Sequence, residues 1–349
     1  MRQWVLKITD YAERLLEDLN ELKNWPEHIK ESQRNWIGKS EGVEVKFEIR
    51  STKSETNSKS QIQNSKQFLG VFTTRVDTIF GCTYLVVAPE HKIISKIKSQ
   101  ILNIDDVERY IEESKNKSDL QRTGLAQDKI GVELKGIKAI NPFNNEELPV
   151  WVADYVLGGY GTGAVMAVPA HDQRDWAFAK KYNLPVKMVI CPNYPKPICP
   201  VLEKAYTGEG HLVGSGEFDG LDSKTAREKM TKWLEEKKLG GRKINYKLKD
   251  WVFSRQRYWG EPIPLIHCEN CGVVAVPEKD LPVKLPKVKF YEPTDTGESP
   301  LVKIEKWVNV KCPKCGGKGR RETNTMPQWA GSSWYYIGYC IAENLKSQT

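Results

Sequence analysis

Residues 159–179 read G-Y-G-T-G-A-V-M-A-V-P-A-H-D-Q-R-D-W-A-F-A. Three segments with different physics lie end to end in it. Glycines at 159, 161 and 163 allow the backbone to come close to a ligand. Residues 164–168 are small or β-branched and read as a strand. From 172 to 182 the pattern is helical, with Asp172 where an N-cap belongs. Turn, strand and helix in succession indicate mixed α/β architecture. The glycines do not form a dinucleotide fingerprint, because their spacing is wrong and a strand stands where a helix should open.

Working outward, residues 43–49 alternate as V-E-V-K-F-E-I, a strand pattern, and residues 68–73, 84–88 and 148–156 read as further strands. Apolar residues from Trp4 to Leu22 recur at helical spacing, so residues 2–24 read as one amphipathic helix that Trp25-Pro26 ends. A second helix is expected over 26–36, an exposed one over 105–117, and another over 223–238 that Gly240-Gly241 stops. Residues 51–67 are almost all Ser, Lys, Thr, Asn and Gln, which cannot bury a face. They read as a disordered or long hairpin loop, with a basic arm touching RNA as the functional alternative.

At 349 residues, two or three domains are expected. A hydrophobic share of 39% with eleven Trp and fourteen Tyr supports real cores and argues against disorder. The net charge of +8 allows an acidic partner such as nucleic acid, although mildly basic surfaces are common. No apolar run approaches a membrane span, and the N-terminus has no signal-peptide core, so a cytoplasmic protein is expected.

Four of the eight cysteines form two pairs, Cys268-x-x-Cys271 and Cys312-x-x-Cys315, each followed by a glycine. Four thiolates suit a closed tetrahedral zinc site with no open position, so a structural zinc is expected rather than a catalytic one. Free or disulfide-forming thiols are the alternative reading. Cys82, Cys191, Cys199 and Cys340 lack this spacing and read as ordinary thiols.

Two stretches carry candidate chemistry. In F-T-T-R-V-D-T-I-F-G, residues 72–81, three threonine hydroxyls and Arg75 gather where a strand ends. They can order a water, grip ribose oxygens or meet a phosphate or carboxylate. Equally, Thr73 and Thr74 are ordinary strand residues and Thr78 a helix cap. In the opening stretch, Asp172 and Asp175 lie three apart and face one side of a first helical turn. If Asp172 caps the helix, Asp175 is free to hold a cation and should stay ionised there. His171 suggests a base, or a ring that is merely hydrogen-bonded. No serine or cysteine nucleophile has a convincing partner.

Taken together, T-T-R-V-D-T-I-F-G and G-T-G-A-V-M-A-V-P-A-H-D-Q-R-D resemble the two signature stretches of the leucyl-tRNA synthetase editing domain, an insertion in a class I catalytic core. Residues 3–16 and 33–43 resemble the lead into that insertion. D-W-V-F-S-R-Q-R-Y-W-G-E-P-I-P, residues 250–264, resembles the return, and residues 325–336, T-M-P-Q-W-A-G-S-S-W-Y-Y, resemble the bacterial segment after the zinc module. The resemblance implies a β-barrel-like α+β editing domain over 41–242 and a helical lead-in over 1–40. It also implies a Rossmann-type return over 243–349 containing a zinc-ribbon-like module at 265–322. It implies hydrolysis of mischarged tRNA(Leu) at its 3′ end, the noncognate aminoacyl ester being cut by positioned water.

By that resemblance Asp175 pairs with the substrate α-ammonium, and Thr73, Thr74 and Arg75 hold the terminal adenosine and the water. Thr78 crowds the pocket against leucine and Met166 and Val168 line it, while Tyr160, His171 and Asp172 complete the substrate-binding set. Ligation of leucine, with ATP and Mg, would belong to the full-length enzyme and to its remaining segments in cis or in trans. The family's ATP-binding signatures would precede residue 1 and follow residue 349. Isoleucyl- and valyl-tRNA synthetases carry the same insertion, but their threonine-rich strands continue differently. A reading from another class is a non-catalytic tRNA-binding subunit of a split synthetase. Asn324 stands where the family pattern has an aspartate.

Overall fold

The alternation at 43–49 belongs to a longer strand, β1 (Lys39–Ser51). Val43, Val45, Phe47 and Ile49 are buried while their neighbours are not, as a half-buried strand requires. Each such side chain contributes about 1.5–3 kcal/mol on burial. The computed structural model describes residues 3–52, 66–117, 121–122, 130–159, 161–195 and 203–346. Six more strands share the sheet of β1: β2 (Gln67–Thr73), β3 (Tyr84–Val87), β4 (Gly131–Ile140), β5 (Glu147–Ala153), β6 (Ala164–Ala167) and β7 (Gly240–Tyr246). The order is β7-β1-β4-β5-β3-β6, with β2 on the other edge of β1.

The length of β1 lets it serve three partners. Its first half pairs antiparallel with β7, from Lys39 opposite Tyr246 to Val45 opposite Gly240, and its last residues pair with β4. Val43 to Ile49 pair with β2, Val43 opposite Thr73. Among the described strands of this sheet, β3 and β5 alone run parallel. The sheet curls until β2 lies against β6, which brings the end of β2 beside the glycine turn that precedes β6. This unit also holds helices α1 (Glu27–Ile37), α2 (Ile104–Lys115), α3 (Gln173–Tyr182) and α4 (Ser223–Glu236), besides a one-turn helix at Lys92–Lys96. Helix α4 buries Ala226, Met230 and Leu234, one face at four-residue spacing, and packs on β7.

The chain divides into two compact units, Pro26–Lys247 and a second one made of Met1–Trp25 with Leu248–Thr349. The expected divisions at 40/41 and 242/243 cut through the β1–β7 ladder, which holds residues 39–45 to 240–246. Backbone pairing therefore places the divisions outside that ladder.

Two expectations are corrected. Residues 2–24 are not one helix. Val5–Leu6 is a strand paired with Trp251–Val252, followed by a 3-10 turn at Ile8–Tyr11 and a helix only over Ala12–Asp18. The Trp4 indole donates to Glu322 at 2.6 Å and its backbone N–H to Ser254, so pairing remote in sequence overrides the local period. Gly240-Gly241 does not stop α4. Lys238 closes it at φ 58°, and the glycines open β7, where a Cβ on Gly240 would collide with the Glu44 carbonyl. Of the polar stretch 51–67, the central 53–65 lie outside the described residues, whereas Ser51 and Gln67 are strand residues.

In the second unit, hairpins Leu265–Cys268/Gly272–Ala275 and Asn309–Lys311/Lys318–Arg321 join into a four-stranded sheet through pairing of Cys268 with Gly319. No helix among the described residues is long and apolar enough to cross a membrane.

Candidate active site

Strand β2 ends at Thr73, and the chain turns into a 3-10 segment, Val76–Gly81. Strand β6 runs past it, and Pro169 to Asp172 lead into α3. Between them lies a cleft of about 390 Å³. Its walls include Thr73, Thr74, Arg75, Thr78, Met166, Val168, His171, Asp172 and Asp175, residues that the sequence places in two stretches nearly ninety positions apart. Tyr160 lies outside the described residues.

Asp172 caps α3, accepting from the N–H groups of Arg174 and Asp175, and pairs with the Arg174 guanidinium at 3.1 Å. Burial alone would raise its carboxyl, but the Arg174 side chain and the capped N–H groups hold it below the ordinary carboxylate range. Asp175, one turn in, is buried against the cleft. Its Oδ2 accepts the Val168 N–H at 2.9 Å and its Oδ1 the Tyr155 hydroxyl at 3.4 Å, while the Tyr84 hydroxyl donates to its carbonyl at 3.1 Å. Burial, and then the nearby Asp172 charge, push the Asp175 carboxyl up to about 7. The expectation that it simply stays ionised at a helix start is thus modified. Desolvation outweighs the helix dipole, and a cation entering the cleft would tip the balance back.

His171 is neutral and committed. Its Nδ1–H donates to the Tyr206 carbonyl at 2.9 Å, its Nε2 accepts the Val189 N–H at 3.1 Å, and burial lowers its pKa. It shapes a wall and has no ring nitrogen left for base catalysis. Arg75 does meet a carboxylate, but one of the protein's own. Its Nε and Nη2 bond Asp77 at about 3.0 Å, and Nη1 and Nη2 reach the Thr207 and Gly208 carbonyls. Asp77 is fully buried and also pairs with Arg227 of α4 at 3.4 Å. The Thr73 hydroxyl accepts the Arg75 N–H, and the Thr78 hydroxyl donates to the Arg75 carbonyl at 2.7 Å. This leaves the Thr78 methyl as the group able to crowd a ligand, and Thr74 is the exposed hydroxyl of the set.

Sequence reasoning missed Tyr155, Val156 and Leu157, which follow β5 and form another wall, and Arg122, which fastens it. The Arg122 guanidinium donates to the Asp154 and Val156 carbonyls and pairs with Glu90, whose carboxylate accepts the Gly158 N–H. No local pattern marks these residues, because their partners are about 20 to 70 positions away. Among the described residues lining the cleft there is no serine, cysteine or lysine nucleophile with a base. The arrangement can bind a cation at Asp175 and position an ester for water, which needs charge and hydrogen bonds rather than a covalent intermediate.

In the second unit, the sulfurs of Cys268, Cys271, Cys312 and Cys315 all lie within 4.8 Å of one another, and Cys268 and Cys315 are 3.7 Å apart. A tetrahedron with zinc–sulfur bonds of about 2.3 Å has edges of about 3.8 Å, so the four residues fit such an ion. Gly272 and Gly316, at φ 71° and 72°, supply the left-handed turns of the two knuckles. Cys82 and Cys191 are buried and Cys340 is exposed, while Cys199 lies outside the described residues.

Fold and site first define a class, an aminoacyl-tRNA synthetase segment carrying an editing insertion. The family described as "Leucyl-tRNA synthetase, editing domain" matches residues 34–235, and the chain belongs to that family. A leucine–tRNA ligase of Alkaliphilus oremlandii (strain OhILAs) is 54% identical over 344 residues, 98% of this chain and 40% of that protein. The crystal structure of a ternary complex of Agrobacterium radiobacter K84 agnB2 LeuRS with tRNA and LeuAMS is similar, with a TM-score of 0.74 and 38% identity. That match covers 97% of this chain and 36% of the other. The chain therefore spans about two-fifths of the length of the relatives it matches. The family resemblance read from residues 73–81 and 161–175 is borne out.

Proposed function

We propose that the cleft of the Pro26–Lys247 unit hydrolyses the ester of noncognate aminoacyl-tRNA(Leu), such as norvalyl- or isoleucyl-tRNA(Leu). The single observation that carries this is the convergence of Thr73, Thr74, Thr78, Met166, Val168 and Asp175 on one cleft whose described lining has no serine, cysteine or lysine paired with a base. Asp175 takes the substrate α-ammonium, which restores its negative charge in a buried setting. The exposed Thr74 and the Thr73 backbone hold the terminal adenosine and the water, and Arg75 fixes that loop through Asp77. Thr78 excludes leucine. Exclusion of this kind is needed because one methylene yields only about 1–3 kcal/mol in a binding pocket. The net charge of +8 suits a tRNA partner.

The four cysteines would hold a structural zinc and so close a zinc-ribbon-like module, and the Met1–Trp25/Leu248–Thr349 unit would belong to a Rossmann-type core. Ligation of leucine with ATP and Mg, and a cytoplasmic site of action, are proposed for the whole synthetase of which such units form part.

The test is hydrolysis of isoleucyl-tRNA(Leu) against leucyl-tRNA(Leu) by this chain. Isoleucyl ester should be cleaved and leucyl ester spared, Asp175→Ala should abolish cleavage, and Thr78→Ala should make leucyl-tRNA(Leu) labile. Hydrolysis of neither ester, or wild-type activity in Asp175→Ala, would overturn the proposal.

A further inference from the structure

One polar group beside the cleft is left without a use by this mechanism. Asn245 lies on β7, directly opposite Ser40 of β1. Residues opposite each other in an antiparallel ladder present their side chains on the same face. Ser40 lines the cleft, as does Phe72. Gly161, at φ 60°, lies beside Phe72 and Asn245. A Cβ placed there would stand 3.6 Å from the Phe72 Cβ and 3.8 Å from Asn245 Nδ2. Asn245 is thus just outside the cleft walls, on the side lined by Ser40 and Phe72.

The Nδ2 of Asn245 is buried and has no hydrogen-bond partner among the described residues. Leaving a buried amide donor unpaired costs about 1–3 kcal/mol, and native structures keep few such groups. A side chain whose role was to tie β7 to β1 would find its acceptor in the protein. A donor that waits at a cleft edge, beside a hydroxyl and a glycine that clears space, suits an acceptor brought by the ligand.

We propose that Asn245, with Ser40, forms a subsite for a ribose or phosphate oxygen of the nucleotide that precedes the esterified terminal adenosine. This rests on the reading of the cleft as an aminoacyl-tRNA site. With the terminal residue in the cleft, the polynucleotide has to leave across its edge. Amide and hydroxyl donors are the groups that grip a backbone oxygen there without reading sequence. The subsite would act on binding of the polynucleotide and not on the ester itself.

Two substrates separate these ideas, isoleucyl-tRNA(Leu) and the isoleucyl ester of adenosine alone, which has no preceding nucleotide. Wild-type protein should hydrolyse both, and hydrolysis of neither refutes the cleft reading itself. Asn245→Ala should raise KM for isoleucyl-tRNA(Leu) about tenfold, the loss of roughly one hydrogen bond, with kcat unchanged. The adenosine ester should be cleaved as by wild type, and Tm should not fall, because no partner among the described residues is lost. Asn245→Asp, of equal size, should weaken tRNA use further by setting a negative charge against the backbone oxygen. Wild-type constants in both variants would overturn the subsite. So would equal losses on both substrates with a lowered Tm, which would mark Asn245 as purely structural.

Discussion

Asp175 illustrates how a residue acquires its chemistry from its surroundings. The sequence marks a carboxylate three positions after a cap, which is enough to suggest a cation partner. It does not reveal that Tyr155 and Tyr84, 20 and 91 positions away, close on the same residue. With the folded carboxyl at about 7 and an ordinary value of 3.8, the native state keeps a proton that the unfolded state releases between these pH values. Stability therefore falls as pH rises through that window, at about 1.4 kcal/mol per pH unit, of order 4 kcal/mol in all. Asp175→Asn should abolish this decline, so its Tm advantage over wild type should grow from pH 4 to pH 7.5. Thermal melts across the window check it, and a constant difference would show that Asp175 ionises normally.

The Tyr155 hydroxyl favours the charged form of Asp175, as does Arg174, against burial and Asp172. Tyr155→Phe should therefore move the rising limb of the pH–rate profile of deacylation to higher pH, once uncatalysed hydrolysis is subtracted. A limb that stays near 7 would remove Tyr155 as a positioning residue for that carboxylate.

At the scale of elements, close approach explains what period alone misses. Gly42 on β1 looks like any strand glycine. A Cβ there would strike the Thr73 carbonyl and stand 2.8 Å from the Phe72 ring, so Gly42 is what lets β2 deliver Thr73 to the cleft. Gly42→Val should displace that strand end, lowering deacylation by at least tenfold and Tm by several degrees. Enzyme assay and calorimetry on the same preparation check both, and an unaltered rate would show that Thr73 needs no such clearance. Long alternating or amphipathic elements were legible: β1, β2, α3 and α4 stand within a few residues of where their patterns put them. Strand β4 was missed because glycine and charged residues interrupt it, and its register with β5 shifts between Glu133 and Lys138. The first helix failed because a strand as short as Val5–Leu6 is made by its partner, Trp251–Val252, and carries no pattern of its own.

On the scale of the whole molecule, every described residue lining the cleft lies within Pro26–Lys247, and all four zinc-suited cysteines lie in the other unit. Chelation of metal, or the Cys268→Ser/Cys312→Ser variant, should therefore unfold the second unit and leave deacylation intact. Metal analysis with hydrogen exchange resolved by peptide checks the first part, and the ester assay the second. A metal-free protein with unchanged exchange at residues 265–322 would exclude a structural ion. The family, the four cysteines and the two stretches that meet in the cleft were determined by the sequence itself, because each is a local pattern of side chains at short spacing. Only the tertiary structure decided that Arg75 is spent on Asp77, that His171 is held by backbone, that two tyrosines flank Asp175 and that the Asn245 Nδ2 is left without a partner among the described residues. Those outcomes depend on which remote groups the curled sheet brings within hydrogen-bonding distance and shields from water, and no local spacing encodes that.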